Sequence, residues 1–193
     1  MKTSALFLLL SLLALASCSP TSDDPQPQAE GFVRFKVDGV QKEFKVTNTP
    51  MGFTFDANGP VYVATSVVLG PGSDGTKNFL NMALRNETLF QSGVEYQMQN
   101  PINYKGVPMV RILLTYANES GQIFNATLFQ QAIPGIKVTD DARWKFTKIT
   151  DNWVEGTFEG VLLGPFSPTS GRGNTELKIT EGQFSMALLK SLP

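Results

Sequence analysis

From residue 31 onward the sequence predicts an all-β fold: an antiparallel β-sandwich or flattened barrel of about ten short strands, with little helix. Two observations carry this. Short runs rich in Phe, Val, Thr and Ile alternate with polar residues and are punctuated by Gly, Pro, Asn and Asp at intervals of roughly 8–15 residues. No window of about 12 residues or more shows an apolar repeat near 3.6, the spacing an amphipathic helix needs.

Val33, Phe35 and Val37 alternate with Arg34 and Lys36, and beyond Asp38-Gly39 the residues Lys42, Phe44 and Val46 alternate with Gln41, Glu43 and Lys45. Two alternating runs joined by Asp-Gly predict a hairpin, because a type I′ turn requires positive φ at both central positions. Further strands are expected at 61–69, 79–84, 94–98, 110–116, 122–129, 144–149, 153–163 and 176–188, with a loop at 100–106. In the run starting at Trp153, Val154, Gly156, Phe158, Gly160 and Leu162 share one face, and Glu155, Thr157 and Glu159 the other. In the last run Leu177 and Ile179 are in one phase, but Phe184, Met186 and Leu188 are in the opposite one. The slip falls at Glu181-Gly182, where a β-bulge would return the apolar side to the core; a tight turn dividing two short strands is the alternative.

The start of the chain is of another kind. Lys2 precedes an apolar run from Ala5 to Ala16, which ends in Leu15-Ala16-Ser17-Cys18. A basic start, a short apolar segment and small residues before a cut site describe a secretory signal, here residues 1–17. About 12 apolar residues are too few to span a bilayer as a helix. Leu-Ala-Ser-Cys resembles the bacterial lipobox, in which the cysteine sulfur takes a diacylglyceryl group before cleavage. Cys18 is the sole cysteine, so it has no internal disulfide partner, and it is the expected lipid-attachment residue. Residues 19–28 hold Pro, Ser, Thr, Gln and Asp with no apolar side chain, so 18–30 reads as the lipidated cysteine and a flexible tether. Ser after the cysteine resembles an outer-membrane address, and Ser22-Asp23-Asp24 resembles the acidic export signal of surface lipoproteins. Surface and periplasmic orientations both fit. Residues 31–193 form the expected single β-sandwich domain.

The charge balance, 16 Lys+Arg against 17 Asp+Glu, gives no footprint for nucleic acid. The absence of histidine removes Ser-His-Asp and Cys-His catalysis and the commonest metal ligand. Glu155 and Glu159 suggest a glycosidase pair, but four strand residues place them about 13 Å apart, beyond the roughly 5–9.5 Å such mechanisms use. A solvated strand face accounts for them. Asp140-Asp141 and Asp151 read as turn residues flanking a strand rather than calcium ligands. The 70–77 loop lacks phosphate-loop spacing, and Gly171-Arg172-Gly173 reads as a turn. Among the aromatics Trp144 shares phase with Phe146 and belongs to the core. Trp153, after an Asp-Asn turn, and Tyr104, in the 100–106 loop, are the candidate ligand-binding residues, since exposed aromatic faces stack on sugar rings.

The segment Ile149-Thr150-Asp151-Asn152-Trp153-Val154-Glu155-Gly156-Thr157-Phe158-Glu159-Gly160, with Ile179-Thr180-Glu181-Gly182-Gln183-Phe184, resembles the ending of small lipoproteins of the Bacteroides group. Those proteins also open with a lipobox, a polar tether and a strand pair like Phe35-Lys36-Val37-Asp38-Gly39. The resemblance implies a β-sandwich on a lipid anchor and supplies no catalytic residues. Together these readings lead us to expect a non-enzymatic interaction module without cofactors, lipid-anchored at the outer membrane, meeting an envelope protein or a glycan. A glycan-binding module, a His-independent carboxylate hydrolase and a structural subunit of a surface assembly are the alternatives.

Overall fold

The computed structural model of the protein describes residues 30–47, 49–130, 135 and 137–191. The signal segment, Cys18 and the tether up to residue 29 lie outside the described residues. Thirteen strands follow in order: β1 Gly31–Val37, β2 Val40–Val46, β3 Met51–Asp56, β4 Val61–Leu69, β5 Phe79–Asn86, β6 Glu95–Gln97, β7 Ile102–Tyr104, β8 Val107–Met109, β9 Ile112–Ala117, β10 Ile123–Ala126, β11 Asp141–Ile149, β12 Trp153–Ser167 and β13 Gly171–Ser191. No helix occurs among the described residues.

The expected hairpin forms in full register from Gly31↔Val46 to Val37↔Val40, with Asp38 and Gly39 at φ 48° and 85°. The phase slip in the last strand is a β-bulge, not a turn. Arg34 pairs with Gln183 and Lys36 with Thr180, so Glu181 and Gly182 together oppose Phe35, and Glu181 takes the left-handed φ of 53°.

Two strands are long rather than short. β12 has 15 residues and β13 has 21, and they pair as one extended hairpin. Each forks along its other edge. β13 meets β1 through residues 179–185 and β3, in parallel, through Leu188–Ser191. β12 meets β11 through residues 154–161 and β10 at Leu163. The sheet order β2-β1-β13-β3-β4-β5-β9-β10-β12-β11-β6, with the β12–β13 pairing added, therefore closes on itself. The result is a flattened barrel of two layers, β2-β1-β13-β12-β11-β6 facing β3-β4-β5-β9-β10. Closure at both corners removes the open edges that would otherwise expose unpaired backbone there.

The core between the layers is aromatic. Phe35 touches Phe44, Phe158 and, across the layers, Tyr116 at 5.8 Å between ring centroids. Phe53 meets Phe146 across the other corner at 5.7 Å. Trp144 and Phe146 are 1% and 0% exposed, as their shared phase predicts. Each fully buried ring contributes about 2–3 kcal/mol by leaving water. Three strands depart from expectation. β3 stands where no strand is expected, and the expected 100–106 loop holds β7 and the two-residue turn Lys105-Gly106, at φ 52° and 83°, that joins it to β8 as a hairpin.

Candidate functional site: the outer face of the long hairpin

Because β12 alternates from Trp153 to Leu162 and β13 alternates on either side of the bulge, their second face points to solvent there. Trp153, Glu155, Thr157 and Glu159 stand opposite buried Val154, Gly156, Phe158 and Gly160. Gln183, Ser185 and Ala187 stand opposite buried Phe184, Met186 and Leu188. On β1 the outward positions are Phe32, Arg34 and Lys36.

Register places Trp153 across from Ala187, and Ser185 between Glu155 on one side and Phe32 on the other. The half-buried indole leans diagonally across the sheet, donating from Nε1 to Ser185 Oγ at 2.9 Å. Its neighbours on β13, Ala187 directly across and Ser185 on the diagonal, are both small. Phe32 sits two strand spacings across and two residues along from it, about 12 Å between backbones. The Arg34 guanidinium stacks over the Phe32 ring at 4.6 Å and donates to Gln183 Oε1 at 2.9 and 3.1 Å. The acids of this face are met by cations: Glu155 by Lys148 at 3.3 Å, Glu159 by Arg143 at 3.7 Å and Glu181 by Lys36 at 2.7 Å. Glu155 and Glu159 therefore occupy a solvated ion-pair face, as their strand spacing indicated.

A shallow groove of about 300 Å³ continues this face over β11 and β6. Gly182, Glu95, Lys145, Glu159, Glu181 and Gln183 are among the residues that line it. The bulge shapes it: a Cβ on Gly182 would stand 2.3 Å from the Phe158 carbonyl oxygen. A second depression, about 310 Å³, is framed by Asn86, Tyr96, Gln97 and Arg111. Arg111 is committed there to the Asn100 carbonyl at 2.7 Å and to the Asn86 side chain.

Tyr104, the other sequence candidate, is held elsewhere. Its ring packs on Gly59, Lys105 lies 5.0 Å over its centroid, and its hydroxyl donates to Asp56 Oδ2 at 2.9 Å. The Asp56 carboxyl sits below its usual range, chiefly through the Asn58 backbone amide and then through Tyr104. The structure thus pins Tyr104 to the turn between β3 and β4 and does not join it to Trp153.

Asp140, expected as a turn residue, stands outside any turn, just before β11, and is buried. Its side chain is 0% exposed, and Oδ2 accepts from the Thr127 and Leu128 amides at 2.8 and 3.2 Å and from Arg172 Nη1 at 2.5 Å. Its Oδ1 has no partner. Arg172, read from sequence as part of a turn, reaches from the β12–β13 tip to Asp140 and Asn125. Asp140, Thr127, Leu128 and Arg172 form a clasp between the hairpin tip and the segment after β10. Among the described residues no group of three or more His, Cys, Asp or Glu could hold a metal.

The alternation pattern does not single out Phe32, Ser185 or Ala187, which cross-strand register brings to the same face as Trp153. Small outward residues between Phe184, Met186 and Leu188 are the signal that could have marked the neighbours of an indole. No family model, no curated protein and no solved structure matches this chain.

Proposed function

We propose that the chain is a lipid-anchored protein of the bacterial outer membrane, whose β-sandwich is a non-enzymatic recognition module acting through the outer face of β1, β13, β12 and β11. The observation that carries the anchor is Leu15-Ala16-Ser17-Cys18 at the end of a short apolar run, ahead of a polar tether. Two or three acyl chains on Cys18 hold a protein firmly, where one holds it only marginally. The resemblance of the C-terminal strands to small Bacteroides-group lipoproteins supports the same reading.

The outer face supports recognition rather than hydrolysis. A carboxylate hydrolase needs two acids converging on one substrate bond. Here Glu155 and Glu159 are on one strand face and each meets a cation, while Asp140 is enclosed by Arg172 and two amides. Edge-strand exchange is disfavoured at β2, where Lys42, Glu43 and Lys45 charge the free edge.

The test begins with Cys18→Ala. Radiolabelled fatty acid should enter the wild type and not the variant, which should appear in the soluble periplasmic fraction; membrane labelling of the variant overturns the anchor. Crosslinking in intact cells, followed by capture of the full-length protein, should yield a partner lost when Lys145 and Gln183 are both replaced by Ala. A partner retained by that variant places recognition on another face.

A further inference from the structure

On the reading of this face as a recognition surface, we propose that Trp153, Ser185, Gln183, Arg34 and Phe32 form a platform for a pyranose ring of an envelope glycan. The argument begins with Trp153. An indole held at its Nε1 edge by Ser185 on the neighbouring strand is half-buried on the outward side of β12, fixed in position yet still in contact with solvent. A flat ring fixed in this way loses little freedom when a ligand covers it, and the apolar C–H face of a pyranose is the matching shape.

The groups around the ring suit the sugar's hydroxyls. Arg34 is fixed twice, by stacking on Phe32 and by bonding to Gln183 Oε1, so its remaining N–H donors and the Gln183 amide nitrogen are aimed rather than mobile. Ser185 supplies a hydroxyl and Glu155, 38% exposed, an acceptor oxygen. Donors and acceptors thus flank one apolar ring face, the pairing a polyhydroxylated ring requires. Charge narrows the class. Glu155, Glu181 and Glu30 are each paired with a lysine, and Arg34 is bonded to a neutral amide. That balance fits an uncharged sugar better than a polyanion. Phe32, about 12 Å from Trp153 across β13 and two residues along, gives a second apolar contact for a later ring of a chain.

The test uses the full-length mature protein in detergent and a panel of cello-, malto-, manno- and chito-tetraose, followed by calorimetry and tryptophan fluorescence. Trp144 is buried, so a spectral change reports Trp153. At least one oligosaccharide should bind and shift the emission. Trp153→Ala should weaken it about tenfold or more, Phe32→Ala and Gln183→Ala less, and Trp153→Phe should restore part of the affinity. Tyr104→Ala should change nothing. Thermal unfolding of each variant separates lost binding from lost fold. Binding indifferent to Trp153→Ala overturns the platform while leaving a recognition module. Binding of no sugar, or an emission shift produced by lipid vesicles alone, overturns the glycan and points to protein or membrane contact instead.

Discussion

Phe184 occupies the space that a side chain on Gly156 would need. The two are register partners on β13 and β12, and a Cβ on Gly156 would stand 2.3 Å from Phe184 Cζ and 2.4 Å from the Lys145 carbonyl oxygen. Phe184 in turn packs on Trp144, Phe146 and Phe158. Neither the ring nor the backbone has room to retreat, so Gly156→Ala should cost about 2–4 kcal/mol. Denaturant unfolding measures this, and a loss below 0.5 kcal/mol would mean that the β12–β13 seam repacks freely.

The bulge predicts the opposite sign. Glu181 adopts φ 53°, a left-handed backbone that costs a non-glycine residue about 1 kcal/mol. Its side chain makes only an exposed ion pair with Lys36, a contact of small net worth. Glu181→Gly should therefore stabilise by about 0.5–1 kcal/mol. A lower midpoint in urea would show that the exposed pair outweighs the backbone strain.

How much of this was legible in the sequence depended on how local the cause was. The Asp38-Gly39 turn, the slip at Glu181-Gly182 and the core position of Trp144 each follow from residues a few positions apart. β3 did not, since Pro50 and Gly52 break its pattern and its pairing to the end of β13 spans more than 130 residues. The role of Asp140 is not legible for the same reason: its partner Arg172 is 32 positions away and arrives only when the hairpin tip folds back. The Asp-Asn turn before Trp153 is local and legible, whereas the contact of its indole with Ser185 is a matter of cross-strand register.

The Asp140 clasp yields the third prediction. Removing one member of a buried, hydrogen-bonded pair leaves the other uncompensated, at a cost of about 3 kcal/mol. Asp140→Ala should lose about that much and leave the Thr127 and Leu128 amides unbonded. Arg172, 20% exposed at its side chain, can still reach water, so the loss lies in the buried groups. Arg172→Ala should cost somewhat less, and the double variant less than the sum of the two. Strict additivity in a double-mutant cycle would show that the two side chains do not act together.

Burial of the Tyr116 phenol makes the stability of the fold depend on alkaline pH. Its ring is 1% exposed, and burial, with a smaller contribution from the nearby Glu119 charge, pushes the phenol up to about 12 from 10.0. Above pH 10 the unfolded chain releases this proton while the folded chain retains it, so the folded state binds more protons and stability must fall as pH rises. The contribution is complete below pH 10 and declines up to about pH 12, at roughly 1 kcal/mol per pH unit. Tyr116→Phe keeps the ring contact with Phe35 and has no proton to lose. Its stability should therefore run flatter between pH 10 and 12 than the wild type, whatever the offset between them at neutral pH. Equal slopes for the two proteins would assign the alkaline loss to other groups.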